Sequence, residues 1–242
     1  MCARMGDDSV FGPCRPVSDP LVQTGYLSLY APMNTVIATF LLSALGLVAT
    51  AVPEVVPVPL GTACTSYLGY DGAQAGPFIV VADSTGRDVD GIGLDAHYFV
   101  ENGHRWGYVT APASAATSNI SMRCADEKLQ AQVNLGVEGE DPVWTDVVVS
   151  GDPNLEGGLG FAFPDDPYPS IPVGPYWHFV DGKQVPGIFL GARNVTTFGF
   201  VDNWAGVEGE YYLLRLMAQG EGFTSWQPSS RDAMGFLKIT YA

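Results

Sequence analysis

The chain has 242 residues, of which 47% are hydrophobic and 15% charged, and its formal net charge at pH 7 is −15. It holds only 11 Lys and Arg residues against 26 Asp and Glu residues. Nucleic acids and anionic membrane surfaces bind proteins through Lys and Arg, so this balance excludes both as expected partners.

The first 51 residues predict an N-terminal extension and a secretory signal peptide. Residues 33–51 begin without charge, continue in an apolar run from Val36, and end on the small residues Ala-Thr-Ala that signal peptidase requires. The run is about 14 residues long, short of the ~20 that cross a bilayer, although a membrane anchor is the alternative. We interpret residues 1–32 as a mis-called N-terminal extension, with translation starting at Met33; an uncleaved internal anchor is the other reading.

Cleavage after Ala51 would leave 191 residues with nine basic and 23 acidic side chains, a net charge of −14. That length suits one domain with its own core. We expect a secreted, extracellular protein of the cell wall or cell surface, with no transmembrane segment in the mature chain.

The mature chain predicts β-structure throughout. Residues 52–61 contain three prolines and predict an extended lead-in, and residues 62–242 predict one β domain. Runs of β-branched and aromatic residues alternate with Gly, Pro, Asn and Asp, and no helical period is sustained. The expected fold is therefore all-β, a single antiparallel β-sandwich or barrel-like domain preceded by a signal peptide. The predicted strands are Phe78–Ala82, Gly93–Val100, Trp106–Thr110, Ile120–Cys124, Gln130–Leu135, Val143–Val149, Leu159–Phe163, Tyr176–Val180, Gly187–Leu190, Thr196–Val201, Tyr211–Met217 and Phe236–Tyr241.

Turn residues and alternation support antiparallel pairing. Asp181-Gly182 and Asn102-Gly103 are signatures of two-residue hairpin turns. Residues 129–135 alternate apolar and polar side chains, which is typical of a strand buried on one face. The segment Ala125–Gln132 also permits a helical turn, but this alternation argues against it.

Cys64 and Cys124 are the only cysteines after the signal peptide, and they predict one disulfide in a secreted chain. The pair would close a loop of about 60 residues, which contributes about 4 kcal/mol on the chain-entropy model. Two isolated cysteines lack the close spacing of a structural zinc site.

Asn119 and Asn194 each begin an N-x-[ST] tripeptide without proline. In a secreted protein these sequences predict N-glycosylation, and a glycosylated asparagine must face solvent. Both tripeptides lie in segments of β character, so we expect strand ends or outward-facing positions.

Metal, cofactor and nucleophile motifs give no specific signal. His97, His104 and His178 do not have zinc-site spacing, and the acidic segment 83–91 lacks the spacing of a calcium loop. No G-x-S-x-G or complete dinucleotide motif occurs. We expect no metal, no cofactor and no catalytic residues. The alternative is an extracellular glycoside hydrolase with an Asp/Glu pair, for which the acids near apolar strands are Glu127, Glu138, Glu140, Asp146, Glu208 and Glu210.

Aromatic residues beside polar ones indicate where a ligand could bind. Trp177-His178 and Asp202-Asn203-Trp204 each place a ring next to hydrogen-bonding groups and near turn residues. Core packing is the alternative for these rings, because Trp and Tyr fill β-sandwich interiors. The leading hypothesis is a secreted, glycosylated, non-catalytic β-sandwich protein that is wall-associated or binds a ligand such as an extracellular polysaccharide. A secreted antigen or effector that binds a surface or partner protein is a further alternative.

Overall fold

Antiparallel strands form the regular structure of the chain, for which a computed structural model describes residues 52–101, 104–113, 120–134, 141–150, 157–161, 170–204, 209–217 and 229–241. Over these ranges the one other element is a 3₁₀ turn, Cys64–Ser66, and no helix there has the length and apolar character to cross a membrane. The strands are β1 (Val56–Pro59), β2 (Ala75–Asp83), β3 (Asp95–Glu101), β4 (His104–Pro112), β5 (Met122–Ala125), β6 (Lys128–Val133), β7 (Val143–Ser150), β8 (Gly157–Phe161), β9 (Ser170–Pro172), β10 (Gly174–Val180), β11 (Lys183–Gly191), β12 (Phe198–Trp204), β13 (Glu210–Leu216) and β14 (Ala233–Tyr241).

Two long strands, β7 and β14, each take part in two sheets and join them. The first three residues of β14, 233–235, pair with β12, and from Phe236 onward β14 pairs with β2. Likewise, β7 pairs with β6 in its first half and with β8 in its second. The change of partner in β14 falls at Gly235, where a Cβ atom would come within 2.5 Å of the Thr85 methyl carbon. Glycine is typical of such corners because a side chain would prevent the close approach.

The strand pairings close into a ring. From β14 the antiparallel neighbours follow as β12, β13, β8, β7, β6, β5 and β2, and β2 pairs with β14 again. Strand β4 pairs with β13 and β8 and carries β3 on its other side, while β11, β10 and β1 continue outward from β14. The predicted all-β antiparallel fold, a sandwich or barrel-like arrangement, is confirmed, and the described strands form one continuous antiparallel sheet.

Alternate side chains of these strands fill the interior between the sheets. In β6, Leu129, Ala131 and Val133 are buried, whereas Lys128 and Gln132 are exposed, as the alternation predicted. We call the side of a strand that faces this core its inner face and the other side its outer face. The largest buried core members are Phe78, Leu94, Met122, Leu129, Leu159, Leu190, Phe198, Phe200 and Leu214.

Strand β1 lies at an edge and presents no backbone N–H group to its free side. The N–H of Leu60 donates to the carbonyl oxygen of Pro175, next to the β1–β10 pairing, at 3.0 Å. Because backbone groups of successive strand residues point to opposite edges, even-numbered positions face β10 and Pro57 and Pro59 face outward. Proline has no N–H, so another strand cannot add to this edge through that donor row.

A disulfide joins Cys64 and Cys124, whose Cα atoms are 5.3 Å apart, and confirms the predicted pairing. Both cysteines are buried in the core cluster. The bond fastens the 3₁₀ turn to β5 and closes the loop of 60 residues.

All twelve predicted strands overlap observed strands, with ends displaced by up to four residues. The predictions missed β1 and β9 as strands. Both contain proline and both lie at sheet edges, where proline is tolerated although it lowers strand propensity. Residues 52–61, expected as an extended lead-in, contain β1.

Two-residue turns with left-handed backbone connect several strands. Asp181 and Gly182, with φ of 50° and 73°, join β10 to β11, which confirms the turn predicted there. Asp126 and Glu127, with φ of 52° and 60°, join β5 to β6, so the segment that also permitted a helical turn is a hairpin. The predicted Asn102-Gly103 turn lies outside the described residues.

Candidate functional site

Trp204, the last residue of β12, has a side chain that is 68% exposed. Phe198, Phe200, Asp202 and Trp204 follow one another at alternate positions, and the first two lie in the core. The strand then runs past the end of the core, so burial falls from complete at Phe200 to partial at Asp202. An indole left in water is informative, because burial of a large aromatic side chain is strongly favourable.

A guanidinium group joins two carboxylates beside this tryptophan. Arg231 donates from Nη1 to Oε1 of Glu210 at 3.0 Å and from Nη2 to Oε2 at 2.6 Å, a bidentate pair. The same Nη2 lies 3.4 Å from Oδ1 of Asp202. Glu210 is directly opposite Trp204 in the β12–β13 pairing. We call Asp202, Asn203, Trp204, Glu210 and Arg231 the Trp204 site.

The loop that carries Arg231 is tied to the neighbouring strands. The backbone N–H of Asp202 donates to Oδ1 of Asp232 at 2.8 Å. Arg87 donates from Nη2 to the backbone carbonyl oxygen of Ser230 at 2.8 Å. These contacts hold the loop against the end of β12. They fix the backbone position of Arg231, whose side chain contacts the carboxylates of Asp202 and Glu210.

The positive charge of Arg231 keeps the carboxylate of Glu210 ionised. The hydrogen bonds and positive charge of Arg231 lower the pKa of Glu210, and Glu210 in turn raises the pKa of Arg231. Burial, with the negative charge of Asp202, raises the pKa of Tyr212. The general acid of a glycoside hydrolase needs a raised carboxyl pKa, which is the opposite of the shift at Glu210. The ionised carboxylate of Glu210 is a hydrogen-bond acceptor.

Asp202 keeps acceptor capacity in this arrangement. Its Oδ1 atom is buried and accepts no hydrogen bond from the described residues, although Arg231 lies 3.4 Å away. Asn203 points to the outer face, where its Oδ1 accepts the backbone N–H of Trp204 at 2.8 Å. Asn203 therefore stabilises the end of the strand, while Asp202 shares the face of Trp204.

The structure does not bring Trp177 and His178 to this site. Trp177 is 39% exposed on β10, and its neighbour His178 points to the other face of that strand and is 1% exposed. β10 lies beyond β11 at the level of Lys238, near the C-terminal end of β14. β12 pairs with the opposite end of β14, so the two tryptophans lie far apart along the sheet.

His178 lies in an aromatic stack instead. Its ring is parallel to that of Phe189 with centroids 3.8 Å apart, and it meets Phe236 edge-on at 4.6 Å. The Nε2 atom forms a 2.8 Å hydrogen bond with Oγ1 of Thr196. Burial lowers the pKa of His178 to about 4, so the ring is neutral at pH 7.

Asn194 lies on an exposed turn. Arg193 and Asn194 have φ of 52° and 61° and connect Ala192 to Val195, which pair across the turn. The backbone N–H of Asn194 donates to the hydroxyl of Tyr176 at 3.1 Å. Its exposed side chain is at a position that glycosylation requires. Asn119 lies outside the described residues.

The acidic residues considered for metal binding or catalysis form contacts with their own neighbours where the structure describes them. Asp90 accepts hydrogen bonds from the backbone N–H and hydroxyl of Thr85, both at 2.8 Å, and so closes its own loop. In the described part of the chain, no three His, Cys, Asp or Glu side chains are grouped as metal ligands would be. Asp146 pairs with Lys128 at 2.7 Å. Glu138, Glu140 and Glu208 lie outside the described residues, and Glu127 occupies a hairpin turn.

The role of Arg231 was missed by the sequence reasoning. It lies 21 residues after Glu210, with no local pattern that links the two. The sequence offered only an indirect indication of an ion pair. The chain has 11 Lys and Arg residues against 26 Asp and Glu residues, so each basic residue has many possible acidic partners. Only the register of β12 with β13 shows which carboxylates lie together.

No protein-family model matches this chain, and no curated protein is similar to it in sequence.

Proposed function

We propose that this chain is a secreted, glycosylated, non-catalytic β-sandwich protein that binds carbohydrate through the Trp204 site, at the cell surface or in the cell wall. The observation that carries the proposal is the exposed indole of Trp204 next to the Glu210–Arg231 pair. Ligand sites combine an aromatic surface with a few convergent polar groups, and this site has both.

The chemistry of the site suits a sugar ring. The indole offers a flat apolar surface for the C–H face of a pyranose. The carboxylate of Glu210 accepts hydrogen bonds from hydroxyl groups, and the guanidinium of Arg231 donates to ring or hydroxyl oxygens. Bidentate pairing holds both groups in place before a ligand arrives, which reduces the entropy lost on binding.

Secretion and glycosylation are supported by separate features. The signal-like segment 33–51 predicts export. The Cys64–Cys124 disulfide fits an oxidising compartment outside the cytosol. The exposed turn position of Asn194 fits a glycan acceptor.

The net charge indicates which polysaccharides fit. A protein of net charge −15 repels polyanions. At the Trp204 site, Arg231 is shared by two carboxylates, so the local charge is also negative. We therefore expect neutral polymers, such as β-glucan, chitin, cellulose or mannan, to bind better than acidic ones.

The test is depletion of the secreted protein from solution by insoluble polysaccharides. The full chain is expressed in a secretory host, and the binding of the recovered protein to chitin, β-glucan, cellulose and mannan is measured. We expect saturable depletion by one polymer and at least a tenfold loss of affinity in Trp204→Ala. The control is Tyr241→Ala, because Tyr241 is 70% exposed on β14 but lies outside the Trp204 site.

Other results would redirect the proposal. Absence of depletion by any of the polymers contradicts it and favours the partner-protein alternative. Equal losses in Trp204→Ala and Tyr241→Ala would contradict the site rather than the activity. Release of reducing ends, abolished by Glu210→Gln, would instead support the glycoside hydrolase.

A further inference from the structure

A groove with a volume of about 220 Å³ opens on the outer face of the sheet formed by β4, β8 and β13. It is lined by Tyr108, Ser150, Gly158, Leu213, Leu214 and Arg215. Asp202, Trp204 and Glu210 lie on the inner face of β12 and β13, whereas Arg215 lies on the outer face, so the groove is separate from the Trp204 site. It combines an aromatic ring, two hydroxyl groups, aliphatic side chains and one guanidinium group.

Glycine at position 158 keeps the groove open. The neighbouring glycines of β8 are needed for strand packing, because a Cβ atom at Gly157 would overlap Val149 Cγ1, and one at Gly160 would overlap the Gly107 carbonyl oxygen. At Gly158 a Cβ atom would come no closer than 3.7 Å to Ser150 or Tyr108. Packing therefore tolerates a side chain at this position, and the space that it would fill belongs to the groove.

Arg215 is set between glycines on both neighbouring strands. It is opposite Gly199 in β12 and opposite Gly158 in β8. Neither of these opposite positions carries a side chain, and Arg215 is half-buried. Its five N–H donors can serve a ligand in addition to contacts within the protein.

We propose that this groove binds a small molecule through a carboxylate group held by Arg215. Guanidinium pairs with planar carboxylates through two parallel hydrogen bonds. The rest of the ligand would contact the hydroxyl of Ser150, the ring of Tyr108 and the side chain of Leu213. A phosphate dianion fits less well, since one arginine faces it in a protein of net charge −15.

The test is a chemical-shift titration of the full secreted protein with glucuronate, benzoate and acetate. Each is compared with its uncharged counterpart, namely glucose, benzamide and acetamide, and with inorganic phosphate. We expect at least one carboxylate to saturate the signals of the groove residues, with an affinity at least tenfold above that of its counterpart and of phosphate.

Matched variants separate the groove from the fold. Arg215→Gln should lower the affinity at least tenfold, whereas Arg193→Gln, on an exposed turn, should leave it unchanged. Gly158→Ala should also lower it, and because its methyl group causes no clash the variant should fold. Gly174→Ala is the control, since a Cβ atom at this strand glycine meets open space.

Four results would overturn the proposal. The first is no saturable binding of any of the three carboxylates, and the second is equal binding of their uncharged counterparts. The third is tighter binding of phosphate, and the fourth is an affinity that neither Arg215→Gln nor Gly158→Ala lowers. The variants Trp204→Ala and Arg215→Gln act on different faces, so failure of carbohydrate binding and failure of the groove are distinguishable.

Discussion

The buried imidazole of His178 should make the stability of this protein depend on pH. Its ring is stacked on Phe189, meets Phe236 edge-on and is hydrogen-bonded to Thr196. The charged form has no solvation there, and burial lowers the pKa from 6.5 to about 4. The unfolded chain therefore binds a proton more readily than the folded one between these two values, and acid favours unfolding.

The magnitude follows from that difference. One pKa unit corresponds to about 1.36 kcal/mol, so the lowered pKa of His178 should cost about 3 kcal/mol of stability between pH 7 and pH 4. The contribution is fully present above the unfolded value of 6.5 and is lost as the pH falls toward 4. This is a large part of the 5–15 kcal/mol that is typical of a folded domain.

The assay is urea unfolding of the wild-type protein and of His178→Phe at pH 7 and pH 4. Carboxylates also titrate over this range, so the quantity to compare is the pH dependence of the variant against that of the wild type. We expect the free energy of unfolding to fall by about 3 kcal/mol more in the wild type. The Thr196→Val control removes the hydrogen-bond partner but keeps the titrating ring, and it should retain most of the pH dependence. Equal pH dependence in wild type and His178→Phe would refute the reasoning, as would a His178 pKa near 6.5 measured by NMR titration.

Two further predictions concern strand edges and strand packing. Replacement of Pro57 and Pro59 by valine and threonine should restore N–H donors on the free edge of β1 and cause association, which analytical ultracentrifugation would detect; a monomeric double variant would contradict the edge argument. Gly160→Ala should destabilise the protein by about 1–3 kcal/mol in urea unfolding, because the new methyl group would overlap the Gly107 carbonyl oxygen, whereas Gly174→Ala should change stability by less than about 0.5 kcal/mol.

Much of the fold could be predicted because its signals are local. Alternation at residues 129–133 identifies the buried face of β6 without knowledge of its neighbours. The Asp181-Gly182 pair predicts a hairpin because both positions need left-handed backbone, which these residues adopt at low cost. The pairing of Cys64 with Cys124 follows from there being two cysteines after residue 51.

The candidate sites were harder to predict, since they depend on contacts between residues distant in the chain. Trp204 and His178 looked alike in sequence, each an aromatic residue beside polar ones. Trp204 lies past the end of the core and is exposed, whereas His178 is buried against Phe189 and Phe236 and hydrogen-bonded to Thr196. The groove at Arg215 depends on two glycines that are its neighbours only across strands.

The sequence by itself determined the fold class, most of the strands, the hairpin at Asp181-Gly182 and the disulfide. The fold class, the strands and the hairpin follow from the properties of residues that are adjacent in the chain. The disulfide follows because two cysteines can pair in only one way. The tertiary structure alone decided which strands share sheets, which aromatic rings are exposed and which charged groups meet. Those outcomes depend on strand register, and register is set by the packing of the whole core rather than by any local segment.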